Sequence, residues 1–275
     1  MYGKLIQATA LACLCLLLAC GAALAQDEDL TAEEIVEKAD YVSYFQGEDG
    51  RAQVTMTISG SQGDKRNREF VILRKDLEEE SETRITDQRY YVYFHRPADV
   101  RKMVFMVWKH TAAEETDDRW LYLPAMDLVK RIAAGDKRTS FVGSNFFYED
   151  VSGRNMNLDQ HELAQTTDTY YVIESTPKNP EQVEFSYYKT WIHKDTFLPV
   201  QTVYWDKNRD KYREYKVLEV DTIQGYTTVT KSRMKNLRDG SQTVIDYEDV
   251  TYDVGIPKDI FSERYLRQPP TQYLR

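Results

Sequence analysis

Cysteine is absent from most of the chain. The sequence has 275 residues and three cysteines, Cys13, Cys15 and Cys20, all of which lie within its first twenty positions. If processing removes that leading segment, the remaining protein has no thiol, so no disulfide can cross-link it. We therefore expect the core to be stabilised by packing alone, even in an oxidising compartment.

Long apolar runs and basic charge are also scarce. One long apolar run, from Leu5 to about Ala25, stands in a chain whose mean hydropathy is -0.62, which excludes an integral membrane protein with several spanning helices. The 36 Lys plus Arg are outnumbered by 45 Asp plus Glu, for a formal net charge of -9. Because phosphate binding requires a basic surface, we predict no nucleic-acid partner.

Catalytic and metal-binding motifs are missing as well. There is no G-x-S-x-G elbow, P-loop or G-x-G-x-x-G pattern. The carboxylate pairs Asp117-Asp118 and Glu149-Asp150 are adjacent in sequence, and adjacent strand residues point to opposite faces. The four histidines are isolated, with no partner at metal-ligand spacing: His95, His110, His161 and His193. We predict a protein that is not an enzyme and that uses no cofactor and no metal.

The first 25 residues have the features of a secretory signal peptide. Lys4 supplies the positive charge, residues 11–19 supply the apolar stretch, and Ala23-Leu24-Ala25 has the small-x-small pattern of a cleavage site. We predict a signal peptide at residues 1–25 and one exported domain at residues 26–275. Cleavage leaves 35 basic against 45 acidic residues, a net charge of -10.

A competing processing site overlaps this segment. Residues 17–21 resemble the lipobox of bacterial lipoproteins, in which Cys20 becomes the acylated first residue. Leu18 is bulkier than the residue usual at that position, and the Ala-Leu-Ala site follows closely. Soluble export is the favoured interpretation, and an outer-membrane lipoprotein anchored through Cys20 is the alternative.

The sequence of the exported chain predicts one helix followed by many strands. Thr31 and Glu34 form a capping-box pattern before apolar residues on one helical face, which predicts a helix at residues 31–44. Alternation of apolar and polar residues then predicts thirteen strands: 51–59, 68–75, 89–95, 102–109, 119–123, 128–132, 156–163, 170–176, 184–193, 199–205, 212–223, 227–237 and 242–253. Because no helical crossovers separate them, the sheet should be antiparallel, and so many strands should curl.

Aromatic and methionine residues concentrate in the central third of the chain. Residues 103–108 are apolar at every position, which predicts that both faces of this strand are covered. Barrel packing under a helix explains the pattern, and so does an apolar ligand cavity. The candidates for such a cavity, or for a lid over it, are Met103, Phe105, Met106, Trp108, Trp120, Tyr122, Phe141, Phe146, Phe147 and Tyr148.

The same region carries a family resemblance. Trp-Leu-Tyr-Leu-Pro at residues 120–124, Lys-Arg-Ile at 130–132 and the Phe-rich segment at 140–150 resemble the outer-membrane lipoprotein-sorting protein family, a LolA-like group of bacterial periplasmic proteins. Residues 30–40 resemble its opening helix. Residues 253–257, followed by Phe261, resemble its closing segment, so the likeness covers nearly the whole exported chain.

This resemblance implies a fold, a location and a function. The expected fold is mainly β, an incomplete and strongly curved antiparallel barrel of the LolA/LolB type with short plugging helices. The expected protein is a non-catalytic periplasmic carrier that binds lipid or lipoprotein acyl chains in an apolar barrel cavity. It would move them between envelope membranes or to and from a transporter, with the segment 141–148 as the candidate lid.

Two further expectations follow for partners. Lys130, Arg131, Lys137 and Arg138 form a basic stretch on an acidic protein, and a solvated face or contact with anionic head groups or a transporter explains it. Some members of the group are associated with exporters of the resistance-nodulation-division type, so such an inner-membrane transporter is a candidate partner. The alternative function is an outer-membrane-anchored lipoprotein or accessory subunit of that transporter, acting mainly by protein contact.

Overall fold

The strands, in which apolar and polar side chains alternate, form one long antiparallel sheet. The computed structural model describes residues 30–77, 87–112 and 114–275. In that part of the chain there are thirteen strands and two α-helices. The predicted signal peptide, Cys20 and the acidic stretch at residues 78–80 lie outside the described residues.

The sheet consists of two meanders, in each of which consecutive strands are neighbours. The first contains β1 (Asp49–Ser59), β2 (Lys65–Asp76), β3 (Gln88–Arg96), β4 (Val104–Lys109), β5 (Asp118–Leu123) and β6 (Leu128–Arg131). The second contains β7 (Asp159–Thr166), β8 (Tyr170–Pro177), β9 (Phe185–His193), β10 (Pro199–Asp206), β11 (Lys211–Ile223), β12 (Tyr226–Asn236) and β13 (Gln242–Tyr252).

Pairing of β1 with β13 joins the two meanders into a single sheet. The strand order is β6-β5-β4-β3-β2-β1-β13-β12-β11-β10-β9-β8-β7, and every neighbouring pair is antiparallel. β6 and β7 are therefore the two edges of the described sheet, which curves strongly without closing. The predicted fold class, an incomplete antiparallel barrel, is confirmed.

The predicted strands are present, with small differences at their ends. The predicted strand at residues 156–163 begins at Asp159, because the three residues before it form a 3-10 turn in which the Asn155 side chain accepts a hydrogen bond from Asn157 N at 2.9 Å. A turn that contains Asp239 and Gly240 joins β12 and β13. Gly240 takes the left-handed conformation there, with φ of 77°.

Helix α1 (Ala32–Tyr44) begins and ends with defined hydrogen bonds. At its start, Thr31 and Glu34 form the predicted capping box. At its end, the Arg74 guanidinium donates to the carbonyls of Gln46 at 2.7 Å and Gly47 at 2.6 Å, and Gln88 Nε2 donates to the carbonyl of Tyr44 at 2.7 Å. Side chains of β2 and β3 thus fix the C-terminal end of α1 to the sheet.

Apolar residues cover both faces of the first meander, as the sequence of β4 predicts. Phe105 and Val107 belong to a cluster on the inner face, the one turned toward α1, whereas Val104 and Met106 belong to a second cluster on the outer face. The C-terminal segment covers that outer face. It contains a 3-10 turn at Lys258–Phe261 and the short helix α2 (Arg264–Arg267).

Removal of the Phe261 ring should destabilise the protein strongly, because this side chain is 2% exposed within the outer cluster. For Phe261→Ala we expect a loss of about 3–5 kcal/mol in the free energy of unfolding. Urea denaturation followed by circular dichroism measures it. The matched control is Met126→Ala, whose side chain is 64% exposed and should cost under about 0.5 kcal/mol.

Candidate binding cavity

A cavity of about 410 Å³ lies between α1 and the inner face of the sheet. Val36, Ala39 and Asp40 of α1 form one wall. Strands of both meanders form the others, for example through Ile72 in β2 and Ile192 in β9. A volume of this size lies within the range of small-molecule sites, and the curvature of the sheet brings its distant strands around one space.

Aliphatic side chains and tyrosines dominate the lining. The aliphatic residues come from α1 and from both meanders: Val36, Ala39, Val42, Ala52, Ile72, Val151, Ile173, Ile192, Leu198, Val229 and Val250. Seven tyrosines join them: Tyr44, Tyr90, Tyr188, Tyr204, Tyr215, Tyr247 and Tyr252. Burial raises the pKa of Tyr204 and of Tyr247 to about 12, so both phenols stay uncharged at neutral pH. The lining is thus apolar or neutral over most of its area.

A cluster of paired charges borders the cavity beside Phe146. Arg138 makes a bidentate contact with Glu184, with both N–O distances at 2.7 Å, and also donates to Glu149 at 2.6 Å. Arg154 makes a bidentate contact with Asp159, with both distances at 2.8 Å. A third pair, Arg213 with Asp150, completes the cluster.

Glu149 lies at the centre of this ion cluster. Its side chain is 2% exposed and also accepts from Lys137 Nζ at 3.1 Å. Burial on its own raises the pKa of this carboxyl, but the charges of Arg138, Lys137 and Arg154 outweigh that effect and hold the pKa at about 2. The carboxylate therefore stays ionised throughout the neutral range.

These ion pairs fasten the segment that crosses between the two sheet edges. Residues 132–158 run from the end of β6 to the start of β7. Their acidic residues Glu149 and Asp150 are matched by Arg138 and by Arg213 of β11, while Arg138 also reaches Glu184 just before β9. The crossing segment is consequently held to the second meander by charge.

Aromatic packing holds the same segment to the first meander. Phe141 is 2% exposed, with its ring centroid 5.4 Å from that of Phe105 and 5.6 Å from that of Tyr148. Val142 and Gly143 take left-handed conformations, with φ of 45° and 81°, which turns the chain back so that Phe146 can also enter the inner core. The structure shows this segment packed in place, and its opening as a lid stays a prediction.

The ten predicted cavity and lid residues are distributed over four places. Phe146 lines the cavity. Four lie in the inner core outside the lining: Met103, Phe105, Phe141 and Tyr148. Phe147 lies against the guanidinium groups of Arg138 and Arg213, at 5.1 Å and 4.0 Å from its ring centroid. The remaining four belong to the outer cluster: Met106, Trp108, Trp120 and Tyr122.

The outer group is turned away from the cavity. The Trp108 and Trp120 ring centroids lie 5.0 Å apart, and Trp108 Nε1 donates to the carbonyl of Phe261 at 2.7 Å. The pleat of the strands explains why this group points away from the cavity, because alternate side chains of β4 and β5 point to opposite faces of the sheet. In a strand that is apolar on both faces, hydrophobicity does not indicate which face lines the cavity.

The predicted basic stretch is also divided. Lys130 and Arg131 are exposed on β6, and Arg131 pairs with Asp118. The Lys137 and Arg138 side chains are 18% and 6% exposed and belong to the ion cluster around Glu149. The four residues therefore do not form one exposed basic surface.

Much of the lining comes from residues that the sequence does not single out. The wall on α1 and the strands β8 to β13 supply most of it, including Asp40, Tyr188 and Leu198. The tyrosine count is the one signal in the sequence, since seven of the 20 tyrosines line the cavity. The strand order is needed to show which tyrosines line the same cavity.

Neither a membrane helix nor a metal cluster is found in the part of the chain that the structure describes. No described helix has the length and apolar character needed to cross a bilayer. Within residues 30–77, 87–112 and 114–275, no three His, Cys, Asp or Glu side chains are grouped so that they could hold a metal ion.

Comparison with known proteins places the chain in a family. A family model described as an uncharacterized protein matches residues 86–268, which is more than half of the chain. The chain belongs to this family. None of the curated proteins compared with the chain matches it.

Solved structures from several bacteria share the fold of the chain. A DUF1329 family protein from Desulfovibrio piger is 29% identical, with a TM-score of 0.77 over 86% of this chain and 100% of its own. A domain assigned as an outer-membrane lipoprotein-sorting protein from Vibrio parahaemolyticus is 22% identical, with a TM-score of 0.75 over 86% and 98%. A LolA superfamily protein from Nitrosomonas europaea is 20% identical, with a TM-score of 0.65 over 86% and 100%. The predicted LolA-like resemblance is confirmed.

The ion cluster predicts a specific dependence of stability on pH. Glu149→Gln removes the central negative charge, and we expect a loss of about 3 kcal/mol in the free energy of unfolding at neutral pH. Because the folded-state pKa is depressed, the carboxylate's contribution is complete above its ordinary pKa of 4.5 and is lost as the pH falls toward about 2. Urea denaturation should show the wild type and the variant converging over that window.

The matched control is Glu162→Gln, a change of the same kind on the exposed surface of β7. It should leave the free energy of unfolding within about 0.5 kcal/mol of the wild type at every pH. A difference between Glu149→Gln and the wild type that persists unchanged at pH below about 2 would contradict the electrostatic explanation.

Proposed function

We propose that the protein is a periplasmic carrier that binds lipid or lipoprotein acyl chains in the cavity beneath α1. It moves them between envelope membranes or to and from a transporter. The observation that carries this proposal is the lining itself, a concave surface of aliphatic and tyrosine side chains bounded by α1 and both meanders. The LolA-like fold supports the proposal.

The energetics of the cavity suit reversible binding. Each acyl CH₂ that leaves water gains about 0.8 kcal/mol, and a membrane offers the same chain a similar gain. A carrier must therefore bind more weakly than a purely apolar site would. Hydroxyl groups of Thr190, Thr202 and Thr228 interrupt the apolar wall, which lowers the gain from burying a chain and favours its release.

No covalent chemistry is part of the proposal. The charged groups at the cavity margin are held in ion pairs that fasten the crossing segment, as the contacts of Arg138 and Arg154 show. The contacts of these groups are thus accounted for by their structural role. The cavity is thus suited to sheltering a chain from water.

A bulky substitution on α1 tests whether the cavity is the binding site. Val36 faces the cavity and the neighbouring Glu37 is exposed. For Val36→Trp we expect at least a roughly tenfold loss of affinity for decanol by isothermal titration calorimetry, because the indole fills space that the alkyl chain needs. Glu37→Trp adds the same ring on the exposed side of the helix and should bind decanol as the wild type does.

Analysis of the lipid that co-purifies with the protein tests which cargo it binds in the cell. The full-length protein should co-purify with acyl lipid or lipoprotein when extracted under native conditions, and Val36→Trp should retain less. Mass spectrometry of the same sample distinguishes an N-terminal Gln26, expected for soluble export, from an acylated Cys20. Purified wild type that carries no lipid and binds no added alkyl chain would contradict the proposed function.

Exposed basic residues should contribute to membrane association. Replacing Lys130 and Arg131 with Gln removes two exposed cations, each worth about 1 kcal/mol near an anionic surface. We expect weaker sedimentation with phosphatidylglycerol vesicles at low salt and unchanged stability. The control changes the exposed cations Lys207 and Arg209, away from β6, to Gln. The transporter partner stays a prediction.

A further inference from the structure

Asp40 places a carboxylate in the wall of the cavity. It lies on the face of α1 that also presents Val36 and Ala39, and all three line the same space. Aliphatic side chains of the second meander, among them Ile173 and Leu198, line that space too. An ionisable group in such surroundings loses much of its hydration, which is unfavourable unless a partner replaces the water.

The protein supplies no such partner to Asp40. Among the described residues, no side chain or backbone group donates a hydrogen bond to its carboxylate, and none forms an ion pair with it. Burial raises the pKa of this carboxyl, while electrostatic interactions with Lys109 and His161 lower it. The raised pKa agrees with a carboxylate that is incompletely compensated.

The two basic residues that influence Asp40 electrostatically are engaged elsewhere. Lys109 Nζ donates to the carbonyl of Ser152 at 2.8 Å and lies 4.8 Å from the Tyr44 ring centroid. His161 uses both ring nitrogens, with Nε2 donating to the carbonyl of Met156 at 3.0 Å and Nδ1 lying 2.8 Å from Ser175 Oγ. Neither group therefore satisfies the carboxylate.

The nearby phenols do not satisfy it either. Tyr90 donates its hydroxyl to Gln88 Oε1 at 2.9 Å. Tyr44 lies one turn further along α1, and the negative charge of Asp40 raises the pKa of both phenols in addition to the effect of burial. Asp40 therefore acts on both phenols as a negative charge that they do not neutralise.

The arginines of the lining are, by contrast, all paired. Arg138 is held by Glu149 and Glu184, Arg154 by Asp159, Arg74 by backbone carbonyls and Arg51 by the carbonyl of Tyr273. Asp150, the other acid of the lining, is paired with Arg213. An anionic head group entering the cavity would find no free cation among the described lining residues, whereas a cationic head group would find a free carboxylate.

We propose that Asp40 binds the ammonium group of an alkyl- or acyl-chain amphiphile, so that the cavity selects cargo with a positively charged amine beside its chain. This inference rests on the proposed function and specifies the class of ligand that the carrier takes. The ammonium group supplies several hydrogen-bond donors and a charge, both of which the carboxylate lacks within the fold. The alkyl chain lies along the aliphatic wall formed by residues such as Ile173, Ile192 and Leu198.

Three amphiphiles with one alkyl chain test the selectivity. Decylamine, decanol and decanoate differ only in the head group, which at neutral pH is cationic, uncharged and anionic. Calorimetric titration of the wild type should show decylamine binding at least about tenfold more tightly than decanol, and decanoate most weakly of the three. Equal affinities for the three would overturn the inference.

Removal of the charge tests the residue. Asp40→Asn should lose about tenfold in affinity for decylamine and keep its affinity for decanol. Glu37→Gln makes the same kind of change three residues earlier, on the exposed side of α1, and should leave both affinities unchanged. A loss of decylamine affinity in Glu37→Gln equal to that in Asp40→Asn would show a general charge effect and would overturn the assignment.

A titration of the wild type provides evidence that does not depend on any variant. Binding of decylamine should lower the pKa of Asp40, measured by carboxyl carbon NMR, and decanol should not lower it. An unchanged pKa with bound decylamine would overturn the inference. Decanol and decylamine that bind equally would leave the carrier in place without head-group selection, whereas failure of every alkyl chain to bind would refute the carrier itself.

Discussion

The pairing of β1 with β13 holds the two halves of the sheet together. Their register runs from Gly50 opposite Tyr252 to Ser59 opposite Gln242, and it is the ladder through which the first meander continues into the second. Each half presents part of the cavity wall, so the cavity requires this contact between strands far apart in sequence. Such long-range pairing has a large loop-closure cost, which makes a slow folding step and late formation of the cavity the expected behaviour.

Charge and aromatic packing act on the same crossing segment from opposite sides. The ion cluster around Glu149 attaches it to the second meander, and Phe141 with Tyr148 attaches it to the first. A segment anchored in this way limits the separation of the two sheet edges. Because the ionic part depends on buried charges with little access to water, screening by salt should weaken it less than it weakens surface pairs.

Local pattern predicts much of the fold and little of the cavity. In β1, Ala52, Val54, Met56 and Ile58 are all buried, as their alternation predicts, and the capping box correctly predicts the start of α1. The cavity depends on contacts between distant residues, such as Arg138 with Glu184, which lie 46 positions apart. The pattern of β4 indicates that both of its faces are covered, but it does not indicate that the C-terminal segment covers the outer one.

The two edges of the sheet have a further consequence for association. β6 has four residues and displays Lys130 and Arg131 to solvent, whereas β7 at the other edge displays Glu162. A short strand with repelling cations is a poor template for the strand of another molecule. The basic pair thus disfavours edge-to-edge pairing of β6 with the β6 strand of a second copy.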